Sequence, residues 1–278
     1  MSDASLFSIE PFFLPLGSEY IFCNFITPIT RNPKACVLYL HPFAEEMHKS
    51  RRMAALQARK FASQGYAVLQ IDLMGCGDSS ADFEDASWDI WKECAKIGVC
   101  WLTNKMDLPI ILWGLRLGGL LAVEVSRQLP RISGLILWQP TTNGENFINQ
   151  FLRIRIASEM LAPNQLNIGI KQLREKLNSG ESVEVGGYSL SSKMALAIDK
   201  LRIMDTMITC EVFWFELSNI NATTISPASI KVIDYWKSLG TKVHEYSIKG
   251  DYFWLSQEIQ ECHDLLDQTQ KAILKLVP

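Results

Sequence analysis

The sequence predicts an α/β architecture: a mostly parallel central sheet, helices on both of its faces, and one inserted helical segment. Three observations carry that prediction. Short strand-like runs alternate with helix-like runs along most of the chain, the rhythm of a parallel sheet with crossover helices. The strand-like runs are apolar throughout rather than at every second residue, which marks strands buried on both faces. The rhythm breaks after Pro140 and resumes at Cys210.

In chain order, residues 35–41 (ACVLYLH) form the first apolar, β-rich run and end in a polar loop. A helical pattern spans 51–64 and stops at Gly65, a residue suited to a helix C-terminus. Residues 66–72 are the next strand, and 74–80 a glycine-punctuated loop. Helix is expected over 88–104, strand over 109–113, helix over 117–128 and strand over 132–138. From 141 to about 206 the pattern reads as helices, with a Gly- and Ser-containing stretch near 179–192. Strand 210–216, helix 227–238, strand 242–248 and a last helix over 256–276 complete the series. The expected division is a core of 15–140 and 207–278, with 141–206 inserted as a helical cap over the sheet's C-terminal edge.

Composition narrows the function classes. The 27 Lys+Arg stand against 30 Asp+Glu, so the net charge of −3 leaves no electrostatic footprint for nucleic acid. A hydrophobic content of 48% excludes intrinsic disorder. No run approaches the ~18 apolar residues of a bilayer span. The first residues lack a basic stretch before an apolar one and contain Pro11 and Pro15, unlike a secretory signal. Seven scattered cysteines without a Cys-x-x-Cys pair argue against disulfides and zinc. The expectation is a cytoplasmic protein with no metal and no cofactor.

The most informative stretch is IILWGLRLGGLLA at 110–122, where a strand enters Gly114-x-Arg116-x-Gly118-Gly119 and then a helix. It resembles the strand–turn–helix elbow of α/β-hydrolases, Gly-x-Ser-x-Gly, with Arg116 in place of the serine. The loop His41-Pro42-Phe43-Ala44 resembles the segment that supplies their second oxyanion N–H. The segment DLMGCGDS at 72–79 resembles the loop after their next strand. These motifs follow one another in the expected order over most of the chain. More narrowly, PFAEEM (42–47), KSRRM (49–53), GCGDS (75–79) and GLRLG (114–118) resemble exosortase A system-associated hydrolase 2. That resemblance implies a link to bacterial exopolysaccharide and protein-sorting systems, a possible protein partner there, and a hydrolase label inherited from the fold.

The resemblance also implies an acid after the strand at 210–216 and a histidine after the last strand. The loop at 217–224 has no carboxylate, Glu216 being the nearest, and Gly250-Asp-Tyr-Phe-Trp254 has no histidine. His244 lies within a strand and His263 within the last helix. Loss of the nucleophile alone costs about a million-fold in turnover, so a Ser-His-Asp esterase is not expected. Arg116 has two open readings. It pairs internally with Glu45, Glu46 or Asp251, because an unpaired buried guanidinium is costly. Alternatively its planar donor fork, at a helix N-terminus, holds an anionic or acylated small ligand or a saccharide. Cys76 is the conspicuous thiol and Asp251 the one carboxylate at a former triad position, so Glu45, Cys76 and Asp251 are candidates for a non-standard hydrolase or acyltransferase site acting on esters or thioesters. His41 and His48 bracket the loop, His41 most simply bonded to backbone. Trp113, Trp138, Trp214 and Trp254 fall near strand ends, where ligands bind in open α/β sheets, and an aromatic-walled cleft suits a sugar ring or acyl chain. The expected ligand-binding set is Phe43, Ala44, Glu45, Arg116, Leu117, Trp138, Trp214 and Asp251.

Overall fold

The computed structural model describes residues 6–129, 131–160, 169–219 and 224–277. Six strands are mutually parallel: β3 (Ala35–Leu40), β4 (Tyr66–Ile71), β5 (Ile110–Leu115), β6 (Ile132–Trp138), β9 (Glu211–Ser218) and β10 (Val243–Lys249). With the antiparallel pair β1 (Phe7–Leu16) and β2 (Glu19–Pro28) they form one eight-stranded sheet, in the order β1-β2-β4-β3-β5-β6-β9-β10. Every residue of β3 and β5 is buried, as uninterrupted apolar runs require. Helices α1 (Glu45–Ser63) and α8 (His263–Leu276) pack on one face. Helices α2 (Trp88–Lys105), α3 (Leu117–Ser126) and α7 (Pro227–Ser238) pack on the other.

Four features differ from the sequence expectation. Strand β1 begins at Phe7, ahead of residue 15, at which the core is expected to begin. Pro11 and Pro15 conceal it in the sequence, yet an edge strand tolerates residues that cannot donate to a ladder. Helix α1 starts at Glu45 rather than 51, so Glu45 and Glu46 form its first turn, where carboxylates suit the helix dipole. Helix α8 starts at His263 rather than 256. Its buried stripe of Leu265, Leu266, Thr269, Ala272 and Ile273 begins only there, whereas Ile259 is 75% exposed.

The fourth difference lies between β6 and β9, which are neighbours in the sheet. Helices α4 (Gly144–Met160), α5 (Ile170–Asn178) and α6 (Ser192–Asp199) are joined by a hairpin of β7 (Val183–Val185) and β8 (Tyr188–Leu190). The hairpin occupies the Gly/Ser-containing stretch, and Gly186 and Gly187 take the positive φ of its turn. Phe147, Ile148, Phe151 and Leu152 of α4 join the same apolar cluster as α2 and α3.

Candidate functional site

The site is built from two strand-to-helix turns side by side. After β5, Arg116 takes φ 55° and ψ −117°, a conformation strained for a residue with a side chain, and α3 follows at once. A Cβ on Gly114 would lie 2.3 Å from the Gly118 carbonyl oxygen, and one on Gly118 would lie 2.2 Å from that of Leu40. Only glycine fits at either place. After β3, Ala44 takes nearly the same conformation, φ 49° and ψ −127°, and starts α1. Two helix N-termini are thereby set beside each other at the C-terminal edge of the sheet.

The Arg116 side chain bridges the two turns. Its Nε donates to Glu46 Oε1 at 3.2 Å, and its guanidinium carbon lies 5.6 Å from the centre of the Trp254 ring. Both side chains of the pair are largely buried, 17% exposed for Arg116 and 11% for Glu46. Burial holds the Glu46 carboxyl above the usual carboxylate range, and the Arg116 charge offsets this only in part. Glu46 Oε2 is buried with no hydrogen-bond partner. The Arg116 Nη groups have none among the described residues. Of the three internal partners considered for Arg116, the structure selects Glu46. Glu45 instead pairs with Lys49 at 3.6 Å.

Two cavities adjoin this pair. An apolar one of about 390 Å³ has Phe43, Phe147, Phe151, Ile154 and Leu255 in its wall, with Glu45, Glu46 and Arg116 at its polar end. Phe43 meets Phe147 and Phe151 edge-on, with ring centres 5.5 and 5.1 Å apart. A second, polar cavity of about 220 Å³ borders Arg116, Thr141, Asn146 and Glu216. Arg116, Phe147 and Gln150 border both.

Of the expected ligand-binding set, Phe43, Glu45 and Arg116 come together on the apolar cavity. Ala44 and Leu117 are buried turn residues behind it. Trp138 and Trp214 belong to the core instead: strand pleating sends Trp138 against Trp113 and Thr269, and Trp214 against Trp236 on the opposite face. Of the four tryptophans considered, Trp254 alone touches Arg116 among the described contacts. Asp251 is exposed on a separate cleft with Gln260, Cys262 and Asp264, and makes no ion pair with Arg116. Phe147, Gln150, Phe151, Ile154 and Leu255 were not foreseen. Their one sequence signal is the spacing of Phe147, Phe151 and Ile154 along a single helix face.

The remaining candidates differ in burial and in contacts. Cys76 is buried, and burial, reinforced by Asp72, pushes its thiol above the ordinary value. That environment suppresses the thiolate a nucleophile needs. His41 is buried and locked: Nδ1 donates to the Pro42 carbonyl at 2.7 Å and Nε2 accepts from the Leu73 N–H at 3.0 Å. Burial lowers its pKa, so the ring is neutral. His48 is exposed on α1, and His263 is paired with Glu261 at the start of α8. His244 pairs with Glu211 near the N-terminal ends of β10 and β9, the sheet edge away from Arg116. Glu216 is consumed in holding α7, accepting from the Ser226 N–H at 2.6 Å and from the hydroxyls of Ser226 and Ser229. Residues 220–223 of the loop that follows lie outside the described residues. Among the described residues no cluster of metal-ligating side chains occurs, and no helix is long and apolar enough to cross a membrane.

The family model "Serine aminopeptidase, S33" matches residues 31–182, more than half of the chain. Curated protein sequences gave no match. Among solved structures, Est1E from Butyrivibrio proteoclasticus with bound ferulic acid superposes with a TM-score of 0.71 at 17% identity, covering 95% of this chain and 98% of that one. A thermostable carboxyl esterase from Bacillus coagulans gives 0.65 at 16%, with 97% of both chains covered. A proline iminopeptidase-related protein from Thermus thermophilus gives 0.60 at 17%, covering 98% and 99%. At these identities the likeness establishes the fold.

Proposed function

The chain belongs to the serine aminopeptidase S33 family, and from that premise we propose that it is a catalytically silent member that binds an acylated or anionic small molecule. The observation that carries this reading is Arg116 at the elbow, paired with Glu46 at the polar end of an apolar cavity. Nucleophile, acid and histidine are all without an occupant able to perform their chemistry. The cavity, meanwhile, keeps a volume within the range of about 300–1,000 Å³ common to ligand sites. The ligand's apolar body lies against Phe43, Phe147 and Phe151, and a carbonyl or carboxylate oxygen accepts from the Arg116 Nη groups. Helix α4, within the segment read as a cap, supplies Phe147 and Phe151 of that wall. The resemblance of residues 42–47, 49–53, 75–79 and 114–118 supports a place beside a bacterial exopolysaccharide or exosortase system, and the scattered cysteines without a Cys-x-x-Cys pair support a cytoplasmic one.

The test combines chemistry and binding. Short- and medium-chain p-nitrophenyl esters, the matching thioesters and a fluorophosphonate probe are offered to the purified protein. The expected result is neither turnover nor labelling, together with saturable thermal stabilisation by octanoyl compounds that is lost in Arg116→Ala. Turnover abolished by changing Arg116, Glu45 or Cys76 overturns the reading in favour of a hydrolase or acyltransferase with a non-standard site.

A further inference from the structure

We infer that the ligand has two parts, an acyl chain in the apolar cavity and a neutral, hydroxyl-rich headgroup of one sugar ring or comparable polyol in the polar cavity beyond Arg116. This rests on the reading of the site as a binding pocket. The two cavities share Arg116, Phe147 and Gln150, so one molecule can occupy both with its linking group at the guanidinium. The polar cavity, about 220 Å³, has the volume of about seven waters at ~30 Å³ each. That is the scale of a single ring.

Its lining selects the headgroup. Thr141 is 6% exposed, borders the cavity and is tied to the elbow by its N–H, which donates to the Arg116 carbonyl at 3.0 Å. Its hydroxyl nevertheless has no hydrogen-bond partner. Buried polar groups are almost always satisfied, so an orphaned hydroxyl on a residue that lines a cavity calls for a partner. Thr142, Asn146 and Gln150 add hydroxyl and amide groups that make no side-chain hydrogen bond among the described residues. Such groups donate and accept at once, which matches hydroxyls. Arg116 is the one cationic residue on this lining among the described residues, and Glu46 already neutralises it. Glu216 adds negative charge. A phosphate or carboxylate head would find no unbalanced cation there, whereas a neutral head has no such need. The arrangement also fits an amide link, whose carbonyl accepts from the Arg116 guanidinium at the junction of the two cavities.

The test uses four probes with a common eight-carbon chain: N-octanoylglucosamine, octanamide, octanoate and octyl phosphate. Each is titrated below its micelle concentration by calorimetry and thermal shift. N-octanoylglucosamine is expected to bind about tenfold more tightly than each of the others. Thr141→Val with Asn146→Ala should bring it down to the level of octanamide while leaving octanamide and the melting temperature unchanged. Tighter binding of octanoate or octyl phosphate overturns the inference, as does an advantage that survives both substitutions. Equal binding of all four keeps the pocket and rejects the headgroup. No binding by any of them rejects the pocket reading itself, and the inference with it.

Discussion

Arg116 sits at a helix N-terminus, where the helix dipole disfavours a cation, and Glu46 sits at another, where it favours an anion. The pair is therefore held by Glu46 and by the Trp254 face rather than by the backbone field around Arg116. Arg116→Ala should leave Glu46 buried without its cation. Breaking an enclosed pair costs about 3–5 kcal/mol, and the residual exposure here reduces that to about 2–3 kcal/mol. At about 2–4 °C per kcal/mol, the melting temperature should fall by roughly 5–10 °C at neutral pH. The pH dependence has a definite sign. Because the folded Glu46 pKa lies above its unfolded value, the folded state holds the proton longer, and stability falls as pH rises from the unfolded pKa, about 4.3, to the folded one. Glu46→Gln removes this slope, so urea midpoints from pH 4 to 8 should show the variant gaining on wild type as pH rises. In Arg116→Ala the downward pull of the guanidinium is gone, the Glu46 pKa climbs further, and the loss of stability should be smaller at pH 5 than at pH 8.

At the scale of elements, the elbow was legible because steric necessity writes it in glycine. Gly118→Ala places a Cβ against two backbone carbonyl oxygens, Leu40 at 2.2 Å and His41 at 2.5 Å, and neither can move without shifting the end of β3. Overpacking of a rigid core costs about 1–3 kcal/mol, and a backbone clash lies at or above the top of that range. A melting temperature at least roughly 6 °C below wild type is expected, with the apolar cavity no longer stabilised by octanoyl ligands. What the sequence concealed has equally physical reasons. Strand β1 was hidden by prolines that only an edge position permits. The start of α1 was hidden because Glu45 and Glu46 read equally well as loop or as a first helical turn, and this decides which carboxylate reaches Arg116. Trp138 and Trp214 lie off the cavity because a strand end fixes a residue's height on the sheet but not its face, and pleating turns the two to opposite cores. Phe147 and Phe151 carry a helical spacing that is equally typical of ordinary core, so their place on the cavity emerges only once α4 is docked over the two turns.

At the scale of the whole molecule, the parallel sheet delivers the ends of β3, β5, β6 and β9 to one edge, where the elbow and both cavities lie. The side chains at the three places that the hydrolase resemblance implies for a triad make other contacts. Arg116 is bonded to Glu46, Glu216 holds the N-terminus of α7, and the turn after β10 presents the buried rings of Phe253 and Trp254. This makes the effect of restoring the nucleophile predictable. In Arg116→Ser the hydroxyl would stand at the elbow, next to the first N–H groups of α3, but with no histidine to take its proton. His41 donates from one ring nitrogen and accepts at the other, and His244 lies at the far edge of the sheet. The variant should hydrolyse p-nitrophenyl butyrate no faster than the residual, about 10³–10⁴-fold over water, that an oxyanion site and binding supply without a working triad. It should also remain unlabelled by a fluorophosphonate at concentrations that label a serine esterase. Turnover comparable to such an esterase, or stoichiometric labelling of the introduced hydroxyl, would mean that a base reaches the elbow from a side chain given a structural role above, and the silent reading would then fail for the scaffold as a whole.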